Sequence, residues 1–481
     1  MDKELQNKID DGLIEFKKAN YHLAIKKFNQ LLEKSDNFLI YWYLGHSYFR
    51  IYDYQKAIEN IEISIKIKSA DQLNLNFLGE IYAQINNFDK SLSLFQKADA
   101  LDKNNLVTLK NIANLLMSIG RIKEAKDYFD KIVNIAPTDF YSHYQLVKIE
   151  KNHLSDELKD LINNNLKNNE LDHLNKIYLH LLISEIKKNE KEYVEEINNL
   201  LFVHEEYLKT RQIAAKQEFE YYSELLPTFI QKCKKINFKS ILNSKPIFIF
   251  GLPRSGTTLV ETIISNGYTN CKSAEESGFF GQSFFSENIM NNFLQDKLSF
   301  NQELITRLSS KISYQYNQIG IDINKDKFTD KSLENIFYFD LIKKIFVNSK
   351  FIYCKRDKEA NFLGILRSFL PNLLWTHSVE KINVFMNMYE NKLQEILKNN
   401  SSDILVVKLE ELSNNPEDEF KKIFNFLNIK WSNDFLNLSL KNNKKIFKTF
   451  SSVQAQKEIQ PHDLSYIKNY KKILEKLIQN I

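Results

Sequence analysis

Cysteine is scarce. The three in the chain, Cys233, Cys271 and Cys354, stand far apart and match no metal-ligand spacing, which excludes a disulfide framework and points to a reducing compartment. Long apolar runs are missing too: no window reaches 18 uninterrupted apolar residues, so no membrane span is expected. The opening stretch from Met1 to Asp11 is charged and lacks an apolar targeting segment, and the expected location is the cytoplasm. Charge of one sign is also lacking. A net +5 over 481 residues makes no case for nucleic acid as a partner, although local basic pockets remain open. An apolar share of 43% and a charged share of 26% are those of a globular protein, and the length implies two or three domains.

A further absence is local. The stretch Pro246–Val260, PIFIFGLPRSGTTLV, reads as a buried strand, a tight Gly/Pro loop and the first turn of a helix. Such a turn favours anions through its orphan N–H groups and its dipole. Nucleotide-triphosphate loops of the form G-x-x-x-x-G-K-[ST] use the lysine on the phosphates and the hydroxyl residue on Mg²⁺. Here Gly251 and Gly256 keep that spacing, Thr257 stands in the lysine's place, and the cation has moved into the loop as Arg254. The expected ligand is a nucleotide with a 5′-phosphate-like anion and no strict need for a metal.

What is abundant in the N-terminal half is repetition. From residue 38 a period of 34 carries Tyr41, Leu44, Gly45, Tyr48, Ala57 and Ile61 onto Leu75, Leu78, Gly79, Tyr82, Ser91 and Phe95. The next turn of the period brings Leu109, Ile112, Ala113, Leu116, Ala125 and Phe129, closed by Pro137. A degenerate unit over about residues 5–37 keeps Gly12, Ala24 and Phe28 in phase. This resembles the tetratricopeptide repeat, a helix-turn-helix unit of that length. The expected organisation is about four units over 1–139, further repeat-like helices over 140–236, and a third region over 237–481. Tyr41, Tyr43, Tyr48 and Tyr82, at repeat spacing, are expected in the core, with His46 and His143 as packing or surface residues. The array itself is expected to be a docking face rather than a catalyst.

Beyond Asn237 the apolar runs Ile247–Phe250, Phe351–Cys354 and Ile404–Val407 alternate with helical stretches, as in a parallel sheet wound by crossover helices. Ligands of open parallel sheets bind at the carboxyl ends of the strands. Three groups follow or neighbour such strands: Ser273-Ala-Glu-Glu-Ser277, Phe328-Thr-Asp-Lys-Ser332 and Lys355-Arg-Asp357. Taken singly, each reads as a solvated turn or a surface ion pair.

Taken in order, the strand–PRSGTT–helix, a carboxylate 17 residues past Thr258, T-D-K, and a strand ending in K-R-D resemble the sulfotransferases. The preceding repeats narrow the likeness to the tetratricopeptide-repeat sulfotransferases, relatives of the tyrosylprotein sulfotransferases. The resemblance implies a P-loop-like α/β domain that transfers a sulfuryl group from 3′-phosphoadenosine-5′-phosphosulfate to an acceptor hydroxyl. It implies that Arg254, Ser255, Gly256, Thr257 and Thr258 hold the 5′-phosphosulfate and that Arg356 holds the 3′-phosphate. It makes Glu275 the general base, with Glu276 as the alternative, and Lys331 the support of the leaving group, with no metal. Peptide tyrosine, saccharide and small-metabolite hydroxyls are all open as acceptors, and a protein partner could use the repeat face.

Four features depart from or loosen the pattern. Gly364 stands where the family usually has a serine eight residues after the phosphate-binding arginine, so that contact is lost or is replaced by Ser368 one turn on. Ala274 replaces a glycine before the base, and Leu409 replaces a tyrosine after the third strand. The segment Thr449–Gln454 resembles a family loop near the cofactor and carries no assigned role. Two competing expectations are a repeat scaffold with a catalytically inactive nucleotide-binding domain and, against Thr257, a nucleotide kinase.

Overall fold

The computed structural model describes residues 3–33, 35–68, 71–168, 170–240, 242, 244–268, 270–436 and 463–479. The helical half contains α1 (Lys3–Lys17), α2 (Tyr21–Leu32), α3 (Phe38–Arg50), α4 (Tyr54–Ile67), α5 (Gln72–Gln84), α6 (Phe88–Leu101), α7 (Leu106–Ser118) and α8 (Ile122–Ile135). It continues through α9 (Phe140–Ile149), α10 (Asp156–Asn165), α11 (His173–Asn189), α12 (Tyr193–Lys209), α13 (Gln212–Glu220) and α14 (Leu226–Lys234). No helix of the described residues is long and apolar enough to cross a membrane.

The abundant asparagines and aspartates have work at the helix starts. Asn37, Asp53, Asp71, Asn87 and Asn105 each accept a backbone N–H of the first turn of the following helix, satisfying donors the helix cannot pair itself. The repeat period has an equally plain cause. A β-carbon on Gly12, Gly45 or Gly79 would lie 2.4 Å from Phe28, 2.5 Å from Ile61 and 2.5 Å from Phe95, respectively. Each glycine lets the first helix of its unit close onto the large residue of the second. The expected core tyrosines lie in this packing: Tyr82 is buried, Tyr43 is half-buried and stacks on Phe28 at 5.7 Å, and Tyr41 and Tyr48 are half-buried. His46 stacks on Phe77 at 3.7 Å, and burial pushes its imidazole down to about 4.

The contacts divide the chain into two compact units, and the division differs from the three segments read from sequence. Unit 1 comprises Met1–Tyr128 with Phe279–Ile323; unit 2 comprises Phe129–Gly278 with Asn324–Ile481. In unit 1, helices α16 (Phe279–Ser286), α17 (Ile289–Leu294) and α18 (Gln302–Gln318) pack with the repeats, following α15 (Thr257–Gly267) of unit 2. The side chains of α18 explain this. Tyr314 donates to Asp53 at 2.7 Å, Gln318 donates to the Tyr52 carbonyl at 3.0 Å, and the Gln55 N–H donates to Gln318 at 3.1 Å.

Unit 2 holds one parallel sheet: β1 (Ile247–Phe250), β2 (Lys272–Ser273), β3 (Phe328–Asp330), β4 (Lys350–Lys355) and β5 (Ile404–Lys408), in the order β2-β3-β1-β4-β5. Pairing sets Ile247 beside Thr329 on one side and Lys350 on the other. β1 is buried at every position, as expected of a strand covered on both faces. On one face Ile247, Ile249 and Ile352 pack with Val260, Ile263 and Ile264 of α15 and with Phe420 and Phe424. On the other, Phe248 stacks on Phe351 at 5.6 Å. The helices of 140–234 also belong to this unit, and Asp139 caps α9 by accepting from Ser142 N.

Candidate active site

Every strand of the sheet from β1 to β4 runs directly into a segment carrying a candidate residue, and all four ends lie on the carboxyl side. After β1 the chain turns through Gly251–Gly256 into α15. Gly256 is the N-cap with φ of 96°, and a β-carbon there would stand 2.8 Å from Leu409 just past β5. The position demands glycine both for its left-handed backbone and for the close packing of Leu409. A β-carbon on Gly251 would meet the Cys354 carbonyl at 2.4 Å. Asn361, itself buried, donates to the Pro253 carbonyl at 2.7 Å and fixes the loop from outside. Within it the Ser255 hydroxyl is buried and has no hydrogen-bond partner among the described residues. Thr257 and Thr258 open the helix, Thr258 buried and Thr257 half-buried.

Arg254 sits in the loop with φ of 69°, a conformation that costs a non-glycine residue energy and that local packing must hold. Arg356, at the end of β4, donates from Nη1 to the Arg254 carbonyl at 3.0 Å. Burial, and then the charge of Arg356, press the Arg254 guanidinium down from its ordinary value. Guanidinium groups stay charged in proteins, so bringing two together favours an anion between them.

The ends of β2 and β3 supply a cluster of charged groups. Lys331 follows β3 with its side chain wholly buried, its Nζ 3.2 Å from Glu275, 3.2 Å from Glu276 and 3.9 Å from Glu261. Burial works against the charge of Lys331, but Glu276, Glu261 and Glu275 outweigh it and hold the ammonium above its ordinary value. Glu261 lies on α15 with its side chain 3% exposed, accepting from Ser273 and Thr329 at 2.7 Å each. Burial pushes its carboxyl up, opposed by Lys331. Glu275 has φ of 54°, its N–H donates to Ser273 Oγ at 3.0 Å, and its carbonyl accepts from the Lys331 N–H at 2.9 Å. Its side chain is 12% exposed, against 47% for Glu276, so of the two glutamates Glu275 is the one the backbone fixes and the protein shields.

The structure therefore brings Arg254, Ser255, Gly256, Thr257 and Thr258 into one loop, and Glu275 with Glu276 onto Lys331. It sets Arg356 against Arg254. Ser368 is used otherwise. The helix after β4 ends at Leu366, Arg367 is its C-cap, and the Ser368 hydroxyl donates to the Gly364 carbonyl at 2.8 Å. Leu409 packs beneath Gly256. Thr449–Gln454 lies outside the described residues.

Sequence reasoning missed Glu261, whose signal is a lone carboxylate in the apolar run Val260–Ile264. It also missed Asn361 and two half-buried acids, Glu218 and Glu334, whose charges both act on Tyr222. Burial pushes each of these acids up to about 7; the backbone of Trp375 and Leu374 opposes this at Glu218, while Asp330 and Glu276 add to it at Glu334.

A parallel sheet whose strand ends carry an arginine-bearing glycine loop and a lysine among carboxylates has the architecture of a P-loop-like α/β domain. Residues 246–433 match the sulfotransferase family, and residues 74–105 and 111–139 match the tetratricopeptide repeat. The chain thus joins tetratricopeptide repeats to a sulfotransferase-family domain. An uncharacterized protein of Aquifex aeolicus (strain VF5) is 23% identical over 397 residues, 78% of this chain and 50% of that protein. A protein of Caenorhabditis briggsae named "Putative protein-tyrosine sulfotransferase" is 24% identical over 214 residues, 40% of this chain and 68% of that protein. The chain thus spans about half the length of the Aquifex relative. The sulfotransferase domain from the Synechococcus PCC 7002 olefin synthase superposes with a TM-score of 0.32 at 14% identity, over 51% of this chain and 99% of that one.

Proposed function

We propose that this protein transfers a sulfuryl group from 3′-phosphoadenosine-5′-phosphosulfate to an acceptor hydroxyl. The observation that carries the reading is Lys331, which follows β3 next to β1 and is bracketed at 3.2 Å by both Glu275 and Glu276 from the end of β2. The residues present fit such a donor. The buried Ser255 hydroxyl has no hydrogen-bond partner among the described residues, Gly256 opens the helix N-terminus to an anion, and Arg254 with Arg356 supplies the positive charge that a phosphate-loop lysine would otherwise bring. When bound, the donor supplies a sulfuryl group on a phosphate leaving group.

Glu275 then takes the proton of the acceptor hydroxyl as its oxygen bonds to sulfur, a contribution of about 10²–10⁴-fold. The electron pair of the breaking S–O bond stays on the bridging oxygen, which leaves with the adenosine bisphosphate. Lys331 and the first amides of α15 meet the charge developing there with donors already in place. The wholly buried side chain of Lys331 keeps that charge interaction away from bulk water.

Peptide tyrosine is the acceptor we favour, by likeness to the Caenorhabditis relative named as a protein-tyrosine sulfotransferase, with the repeats as a docking element for the acceptor protein. Calorimetric titration with adenosine 3′,5′-bisphosphate and transfer from radiolabelled donor to a tyrosine-containing peptide library test the reading. Wild type is expected to bind and transfer, Arg254→Ala to lose binding, and Glu275→Ala to bind but lose transfer. A wild type that binds no bisphosphate would overturn the proposal, and full transfer by Glu275→Ala would remove the base from its role.

A further inference from the structure

Arg356 is held from two sides. Its Nη1 donates to the Arg254 carbonyl at 3.0 Å and its Nη2 to the Tyr466 hydroxyl at 3.2 Å. Behind it lies Gly364, where a β-carbon would stand 3.1 Å from Arg356 Nη1 and 3.3 Å from Arg254 Cβ. A side chain at 364 would press on both arginines and ask them to give by a few tenths of an ångström. Tyr466 comes from the short turn Ser465–Asn469, 110 residues further along the chain.

The direction of the Tyr466 bond matters. A guanidinium has five donors and no acceptor, so the tyrosine oxygen accepts and keeps its own proton. No hydrogen bond donated by that proton to a described residue is present, and the ring is half-buried. The Arg367 guanidinium lies 6.0 Å from the Tyr466 ring centroid and is engaged in an ion pair with the buried Glu196 at 2.7 Å. A phosphomonoester oxygen placed beside Arg356 would accept from the guanidinium and from the phenol together.

Resting on the donor assignment above, we propose that Tyr466 is a donor-binding residue that completes, with Arg356, the site for the nucleotide's 3′-phosphate. It supplies the hydroxyl that Gly364 cannot.

The test is calorimetric titration of wild type and Tyr466→Phe with adenosine 3′,5′-bisphosphate and with adenosine 5′-monophosphate. Wild type is expected to prefer the bisphosphate. The variant is expected to lose about tenfold in affinity for the bisphosphate, the scale of one hydrogen bond to a charged group, and nothing for the monophosphate. Phenylalanine keeps the ring, and an unchanged melting temperature verifies the fold. An undiminished preference in Tyr466→Phe overturns the inference while leaving the donor assignment standing, and so does an equal loss for both ligands. A wild type without any preference for the bisphosphate overturns the donor assignment and this inference with it.

Discussion

Thr329 on β3 donates its hydroxyl to the Glu261 carboxylate of α15 at 2.7 Å, tying the strand that precedes Lys331 to the helix that follows the phosphate loop. The same Glu261 oxygen accepts from Ser273, two residues before Glu275 in the chain, so one buried carboxylate registers three of the site's segments.

Truncation and neutralisation of Glu261 should therefore differ. Glu261→Ala leaves two hydroxyls without their acceptor and removes a carboxylate from Lys331, and is expected to cost about 2–4 kcal/mol in urea unfolding. Glu261→Gln keeps a carbonyl that can serve both hydroxyls and loses only a charge 3.9 Å from Lys331, so it is expected to cost about 1 kcal/mol or less. Equal losses would show that the shared acceptor does not set the register.

Gly256→Ala combines two penalties that can be separated. The backbone at φ of 96° strains any L-residue, about 1–3 kcal/mol, and the new methyl meets Leu409 at 2.8 Å. Affinity for adenosine 3′,5′-bisphosphate should fall at least about tenfold. Adding Leu409→Ala relieves the contact but not the backbone, so the double variant should recover only part of the stability in the same unfolding series. Full recovery would mean that the backbone strain is absent.

Glu218 sets a pH dependence with a definite sign. Burial raises its carboxyl from 4.5 to about 7, so the folded state holds a proton that the unfolded state releases earlier. The stability this contributes is complete below about pH 4.5 and is lost as the pH rises through about 7. Glu218→Gln removes that term. Its urea midpoint, compared with wild type, should improve on going from pH 5 to pH 8, by the equivalent of about 1–2 kcal/mol given its partial exposure. An unchanged difference between the two pH values would contradict the raised carboxyl.

The legible parts of the fold were those specified by neighbours in sequence. Gly251 and Gly256 mark the tight loop between β1 and α15 through a fixed spacing, and the apolar runs at β1, β4 and β5 announce strands of a parallel sheet, β1 being buried throughout. The repeat period is legible because each glycine answers to a large residue 16 positions later, as Gly79 does to Phe95. Glu261 escaped because an isolated glutamate in a helix looks like any solvent-facing residue until the helix is laid on the sheet. Arg356 was visible at a strand end, whereas its partner Tyr466 arrives through tertiary folding alone. The segment Phe279–Ile323 escaped for the same reason: Tyr314 finds Asp53 across 261 residues.

That last segment makes the two compact units inseparable by a single break in the chain. The polypeptide leaves unit 2 after Gly278, contributes three helices to unit 1, and only then returns to lay down β3 with Lys331. A fragment ending near residue 236 would contain the repeats without α16–α18, and its complement would carry those helices without the loop that Tyr314 and Gln318 engage. The covalent path thus makes the strand that carries Lys331 a sequel to a detour through the repeat unit.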